Sequence, residues 1–300
     1  MIGDKEVIAA VEATTAATVT AIQRAPYEYA TSFVLERFDV ALDDGRRLDL
    51  ILKDLTFERL LTDARRSKPR FLYEPRREID TYRCVLPAVD AGPACYGTGD
   101  SWFLIEKVPG VELWQIGDIA VWEGAARWLA DFHRRGAAID AGALNRHLLC
   151  FSADFLAGWP KRAVDAVDDR RLQQIAARYD EVIDRLTAGT PTFVHGEFYP
   201  SNVLVDDGGH VWPVDWEMAA IGPPLLDVAA LTTGWDDATA SRLVAAYGAG
   251  SASAETLDCC RLHLALQWIG WSDAWSPPAE HARDWLAEAA AAATRLGLMA

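Results

Sequence analysis

The sequence predicts an α+β protein in which a small β-rich region comes first and a larger, mainly α-helical region follows. Residues 16–53 run as β-branched and aromatic segments broken by turn residues,. From about 112 onward, Ala- and Leu-rich stretches with helical spacing dominate,. Between the two, Val108-Pro109-Gly110 marks the change of character,. With 300 residues at 51% apolar composition the chain can build a sizeable core, as one large domain or two modest ones,. The predicted division is residues 1–105, a hinge at about 106–111, and residues 112–300.

Three antiparallel strands fit residues 16–53, separated by Arg24-Ala25-Pro26 and by Asp43-Asp44-Gly45, the second a strong short-turn signal,. Residues 54–66 and 74–86 carry helical spacing,. Pro87, Pro93 and Gly97 then return the chain to an extended run ending in Trp102-Phe103-Leu104-Ile105,. In the second region Ile119 to Arg134, Phe151 to Trp159, Leu172 to Leu186 and nearly everything beyond 236 read as helices. A single strand pair interrupts them. Phe193-Val194 leads into His195-Gly196, and Asn202-Val203-Leu204-Val205 turns through Asp206-Asp207-Gly208-Gly209 and returns as Val211-Trp212-Pro213-Val214.

Charge and apolar patterning narrow the function classes. The balance of 29 Lys plus Arg against 44 Asp plus Glu, net −15, sets the chain against a polyanion, so no nucleic acid partner is expected,. The N-terminus has no basic leader feeding an apolar stretch, and no uncharged apolar run reaches the roughly 18 residues of a membrane span, so no membrane partner is expected either,. Five Cys without metal-type spacing fit free thiols in a reducing cytoplasm,.

The chemistry-bearing residues gather at strand ends in one segment, Val194-His195-Gly196-Glu197-Phe198-Tyr199-Pro200-Ser201-Asn202, followed by Val214-Asp215-Trp216-Glu217 and Gly222-Pro223-Pro224-Leu225-Leu226-Asp227. Any one of these pieces alone is an ordinary surface turn; their joint register over roughly 35 residues is what carries information. The segment resembles aminoglycoside phosphotransferases, choline kinases and related small-molecule kinases, whose catalytic loop reads H-G-D-x-x-x-x-N and whose metal-binding turn reads I-D-W-E/D, with a further Asp about a dozen residues on,.

The resemblance implies a bilobal protein-kinase-like fold, ATP or GTP as phosphoryl donor, Mg²⁺, and a small-molecule acceptor. Phosphoryl transfer needs positioning and charge neutralisation more than covalent help from the protein. On that basis Glu197 orients the acceptor hydroxyl, Asn202 and Asp215 hold Mg²⁺, His195 braces the loop, and Asp227 anchors the loop from the following helix,. Lys53, at the end of strand Leu48-Asp49-Leu50-Ile51-Leu52, corresponds to the phosphate-binding lysine of a kinase third strand,. Its partner is Glu78 or Glu74, with Arg77-Glu78-Ile79-Asp80-Thr81-Tyr82 matching the family's R-E-x-x-x-Y pattern and favouring Glu78,. The edge segment 103–108, with Glu106 and Val108, resembles the hinge that binds the base.

Two departures from the family pattern bear on the chemistry. Position 197 holds Glu where the family has Asp; the added methylene moves the carboxylate by about 1.5 Å if the backbone stays put, and a shift of roughly 1 Å at a reacting centre can lower a rate about 100-fold. The nucleotide loop Tyr27-Glu28-Tyr29-Ala30-Thr31-Ser32-Phe33 has no glycine, so the Thr31 and Ser32 hydroxyls either meet a phosphate or sit in a plain β-turn,. His133 reads as a packed core histidine,. Tryptophans at 235, 268, 271, 275 and 285 crowd the C-terminal region where the family forms its acceptor pocket, and Trp271, Asp273 and Glu217 are the candidate acceptor contacts,.

The resulting expectation is a cytoplasmic O-phosphotransferase, monomer or weak homodimer, acting on an aminoglycoside, macrolide, amino sugar or other natural-product hydroxyl. A catalytically silent kinase-like module that binds a nucleotide or small molecule is the alternative, suggested by Glu197. A protein kinase fits least, because so few residues separate Asp215 from Asp227 that a long activation segment has no room.

Overall fold

The computed structural model describes residues 2–28, 32–250, 253–271 and 282–299. The predicted α+β, bilobal arrangement is present: an antiparallel sheet region comes first and a helical region second. Strands β1 (Val19–Pro26), β2 (Leu35–Leu42), β3 (Arg47–Asp54), β4 (Cys95–Thr98) and β5 (Trp102–Glu106) form one sheet in the order β1-β2-β3-β5-β4, every neighbouring pair antiparallel. The turn between β2 and β3 falls on Asp43-Asp44-Gly45, with Gly45 at φ +87°, a conformation that glycine adopts without a Cβ penalty,.

Side-chain alternation on β3 decides what each face does. Leu50 and Leu52 join Phe38, Val40 and Leu104 on the outer face, and Ile51 and Lys53 point to the inner face,. The outer face is covered by a helix not anticipated from the sequence, Asp4–Thr15, whose Val7 and Val11 lie one turn apart and are both fully buried,. Lys53 is therefore left on the side that faces the helical region.

Downstream of β3 the expected helix over 54–66 is broken into a 3₁₀ turn at Phe57–Arg59 and a short helix Thr62–Ser67, which Pro69 prevents from continuing,. The second predicted helix is present as Pro75–Asp80, prolonged through a π turn (Thr81–Val85) to Leu86–Ala88. Glu74 is its N-cap, accepting the Arg76 N–H at 3.0 Å, and Pro75 fills the first helical position, where a missing N–H is harmless,.

The helical region is built on Ile119–Ala137, Ala153–Ala166, Leu225–Leu231, Asp237–Tyr247, Ala254–Ile269 and Trp285–Arg295. The single helix expected over 172–186 is two, Arg170–Ala177 and Asp180–Ala188; between them Tyr179 is buried with its hydroxyl 2.8 Å from His263 Nδ1. Six short strands complete the topology: β6 (Val111–Glu112), β7 (Leu149–Cys150), β8 (Thr192–Val194), β9 (Val203–Val205), β10 (Val211–Pro213) and β11 (Ala220–Gly222). The single strand pair expected here is corrected. β9 pairs with β10 and also with β6, whereas β8 belongs to a separate sheet with β11 and β7. The catalytic-loop segment thus crosses from one small sheet to the other. Among the described residues no helix is long and apolar enough to cross a membrane.

Candidate active site

The loop after β8 is held from below by Asp227. This carboxylate, fully buried near the start of helix Leu225–Leu231, accepts the His195 N–H at 2.8 Å and the Gly196 N–H at 2.9 Å. His133 Nε2 lies 3.0 Å from the same Asp227 oxygen that takes the His195 N–H, and His133 Nδ1 lies 2.9 Å from the Tyr247 hydroxyl. His133 is thus packed in the core, as its sequence position suggested, and also fixes the carboxylate that fixes the loop. Gly196 sits at φ +83°, and a Cβ there would fall 2.2 Å from the Met218 carbonyl oxygen. Only glycine fits.

His195 is wholly buried. Its Nδ1 accepts the Glu197 N–H at 3.3 Å, so the proton is on Nε2, which donates to the Val214 carbonyl at 3.0 Å,. Burial lowers its pKa, which suits this neutral tautomer,. The imidazole thereby ties the loop to the residue preceding Asp215. Asn202 closes the loop from its other end: its amide nitrogen donates to the Glu197 carbonyl at 3.0 Å, which leaves the amide oxygen as the end able to meet a cation,.

Asp215 occupies the left-handed region, φ 63° and ψ 66°, sparsely populated by residues other than glycine though tolerated by Asp,. This twist sends Trp216 into the core, stacked on Phe193 at 5.5 Å and against His195 at 4.3 Å, with its indole N–H on the Pro213 carbonyl at 3.1 Å. With Trp216 locked, the carboxylates on either side of it, Asp215 and Glu217, approach Lys53.

Lys53 lies at the centre of this group. Its Nζ is 2.8 Å from Glu78, 2.7 Å from Asp215 and 3.2 Å from Glu217. Of the two candidate partners on the helix after β3, Glu78 makes the pair and Glu74 serves as the cap. Burial would depress the Lys53 ammonium, but Asp215 and Glu78 more than reverse that and hold it above its ordinary range,. Burial pushes Glu78 up to about 7. For Asp215 the pull of Lys53 outweighs burial and keeps it below the usual carboxylate range. Glu78, Asp215 and Glu217 offer carboxylate oxygens that all lie within 4.8 Å of one another, a hard-oxygen donor set of the kind Mg²⁺ takes,.

Glu197 is half-buried, and burial together with the nearby Asp215 charge raises it to about 7 against the opposing pull of Lys68 and Lys53. Three residues of this neighbourhood were not singled out from sequence. Lys68, its side chain one-tenth exposed, is ion-paired with Glu217; desolvation lowers it to about 8. Arg77 is buried, donating to the Leu72 carbonyl at 2.9 Å, the Glu217 carbonyl at 2.7 Å and the His147 carbonyl at 3.1 Å. Asn145 completes this junction, donating to the Arg77 carbonyl at 2.8 Å. Together they bolt the Glu78 helix to the turn that carries Asp215. Only the family's R-E pattern could have drawn attention to Arg77; Lys68 ends the basic run Arg65-Arg66-Ser67-Lys68, which carries no motif.

Lys53, Glu78 and Asp215 line a cavity of about 330 Å³ together with Tyr27, Leu35, Glu106 and Val108. The Glu106 N–H already donates to Ala94 and the Lys107 N–H to Asp49, both at 2.8 Å, so these two hinge donors serve the sheet. Ser32 spends its carbonyl on the Leu61 N–H at 3.0 Å, tying its segment to the chain after β3. Thr31, Asp273 and Trp275 lie outside the described residues. Trp271 stacks on Trp159 at 6.1 Å and packs against the small cluster of Leu72, Trp159 and Met218. Glu217, expected as an acceptor contact, instead turns inward onto Lys53 and Lys68, because a carboxylate that is about nine-tenths buried requires cationic partners,.

Over residues 37–263 the sequence matches the family described as the phosphotransferase enzyme family, APH. The chain belongs to that family. No curated protein matches it. Solved structures similar to this family member include a choline/ethanolamine kinase family protein from Mesorhizobium loti, 17% identical over 99% of this chain and 94% of that one, with a TM-score of 0.61. The macrolide 2'-phosphotransferase MphH from Brachybacterium faecium is 19% identical over 93% of this chain and 95% of that one, TM-score 0.57. The streptomycin–ATP ternary complex of APH(2'')-IIa is 14% identical over 90% of this chain and 92% of that one, TM-score 0.55. At these identities the likeness is one of fold, and it spans both regions of this phosphotransferase-family chain.

Proposed function

We propose that this chain transfers the terminal phosphate of ATP or GTP to a hydroxyl of a small molecule, with Glu197 orienting that hydroxyl. The observation that carries the reading is the Lys53–Glu78–Asp215 group lining a cavity of about 330 Å³ that the hinge residues Glu106 and Val108 also line. Lys53, held extended by Glu78, is placed for the α- and β-phosphates, and Asp215 and Glu217, with the Asn202 amide oxygen nearby in the loop, supply hard donors for a divalent ion. A Mg²⁺ ion held there would offset the charge that develops on the phosphoryl oxygens. Glu197, titrating near 7, would accept the hydroxyl proton late in transfer, and the loop around it is fixed by Asp227, His195 and Asn202,.

We assign the acceptor to a second cavity of about 210 Å³, bounded by Trp114, Trp122, Trp235 and residues 199–201 of the catalytic loop. Ser201 borders both cavities, so the acceptor space would adjoin the nucleotide space. Sites for drug-sized ligands usually enclose about 300–1,000 Å³; this one, as bounded by described residues, suits a single ring such as an amino sugar, or one ring of a larger natural product.

The test is γ-phosphate transfer from ATP and GTP across aminoglycosides, macrolides, amino sugars and amino alcohols, with Glu197→Asp, Glu197→Ala and Asp215→Ala beside wild type. Transfer by wild type that both alanine variants abolish supports the reading. Nucleotide binding without transfer, with turnover gained by Glu197→Asp, would instead make the chain a silenced binding module, the outcome that the longer acid at 197 favours.

A further inference from the structure

The acidic group around Lys53 holds a second cation. Lys68 follows the helix Thr62–Ser67, and its side chain, only one-tenth exposed, reaches one oxygen of Glu217; the other oxygen of that carboxylate lies 3.2 Å from Lys53. The Glu217 carboxylate therefore stands between two ammonium groups. A buried Lys–Glu pair adds little stability, since desolvating two charges offsets most of their attraction, so its presence beside a ligand cavity calls for another reason.

The charges that act on Lys68 are those of Asp215, Glu197 and Glu78, with Lys53 as the cation among them. It also acts on Glu197 more strongly than Lys53 does. Lys68 is thus linked through Glu217 to Lys53 and is also close enough to Glu197 to act on its charge. In the reading proposed above, the phosphoryl group passes from the Lys53 group to the hydroxyl at Glu197.

We propose that Lys68 is a second phosphate-binding lysine, assigned to the terminal phosphate of the donor and held in place by Glu217, while Lys53 serves the inner phosphates. During transfer the acceptor oxygen bonds to phosphorus, the bond from phosphorus to the departing diphosphate breaks, and the acceptor proton passes to Glu197. Lys68 would then stay beside the phosphoryl oxygens, whose charge is shared through the loose transition state. The assignment rests on the cavity being a nucleotide site, and it adds a residue specific for the phosphate that ATP has and ADP lacks.

Titration calorimetry of the full chain with ATP and with ADP tests it, first in Mg²⁺ with wild type. It is repeated in EDTA with wild type, Lys68→Met, Lys68→Arg and Lys68→Met/Glu217→Gln; EDTA removes any metal bound through Glu217. The double variant leaves no orphaned buried carboxylate should the single one fail to fold. Losing one charge-assisted contact should weaken ATP binding about tenfold or more in the double variant while ADP affinity changes less than about twofold, with Lys68→Arg close to wild type. An unchanged ratio of ATP to ADP affinity, or equal loss of both, overturns the assignment and leaves the nucleotide cavity standing. Wild type that binds neither nucleotide in Mg²⁺ overturns both.

Discussion

Replacing Asp227 by alanine removes the acceptor that three buried donors share. The His195 N–H, the Gly196 N–H and the His133 ring nitrogen lie 2.8, 2.9 and 3.0 Å from its two oxygens, in a site closed to solvent. A buried donor left unmatched costs about 1–3 kcal/mol, so three set a range of about 3–9 kcal/mol. Tyr247 still holds the other His133 nitrogen at 2.9 Å, and a water can enter the polar space vacated, so the lower part of the range applies,. We expect a loss of about 3–5 kcal/mol, a large share of the roughly 5–15 kcal/mol that holds a domain folded. Urea unfolding at pH 7 of wild type, Asp227→Ala and Asp227→Asn measures it, with Asn intermediate because it keeps one acceptor oxygen and presents an N–H where the other stood. On the proposed function the same change in folded protein should lower phosphate transfer more than nucleotide affinity, since the loosened segment is the one before Glu197. An Asp227→Ala variant within about 1 kcal/mol of wild type would refute the view that this carboxylate anchors the loop.

Gly196→Ala meets two obstacles, a positive φ and a Cβ 2.2 Å from the Met218 carbonyl oxygen, so it should lose about 3 kcal/mol or more in denaturant midpoint,. Because the displaced peptide follows Glu217, nucleotide affinity measured by calorimetry should fall as well. Glu197 gives a pH test. An acid raised from 4.5 to about 7 by burial and by Asp215 adds stability that is present below 4.5 and lost as the pH climbs through 7,. Glu197→Gln is free of that loss. The full shift would amount to about 3 kcal/mol, and the half-buried setting of Glu197 reduces it to about 1–2 kcal/mol,. Urea midpoints of wild type and Glu197→Gln should therefore differ more in favour of the variant at pH 8.5 than at pH 5; an equal difference at both would show that Glu197 carries no raised pKa.

Local signals explain what was legible in the chain. Period-two apolar patterning and the Asp43-Asp44-Gly45 turn specify β1 to β3, because strand alternation and turn conformation are settled within a few residues,. The helix Asp4–Thr15 escaped because it shows the sheet only two valines, too few to mark a periodicity. The two-helix form of 170–188 and the departure of β8 to another sheet depend on partners far along the chain, Tyr179 with His263 and β8 with β11. No local pattern contains them.

The same division runs through the site. Residue order by itself determined the chemical inventory: His195, Gly196, Glu197, Asn202, Asp215 and Asp227 in a fixed register, and Lys53 at a strand end. Only the tertiary structure decided the pairings, and hence the charge states. It chose Glu78 over Glu74 as the partner of Lys53, turned Glu217 inward, and drew Lys68 out of a basic run into a buried ion pair. The physical reason is that a side chain's identity is local, whereas its desolvation and the field it feels are set by whatever the fold brings within a few ångströms, often from more than a hundred residues away.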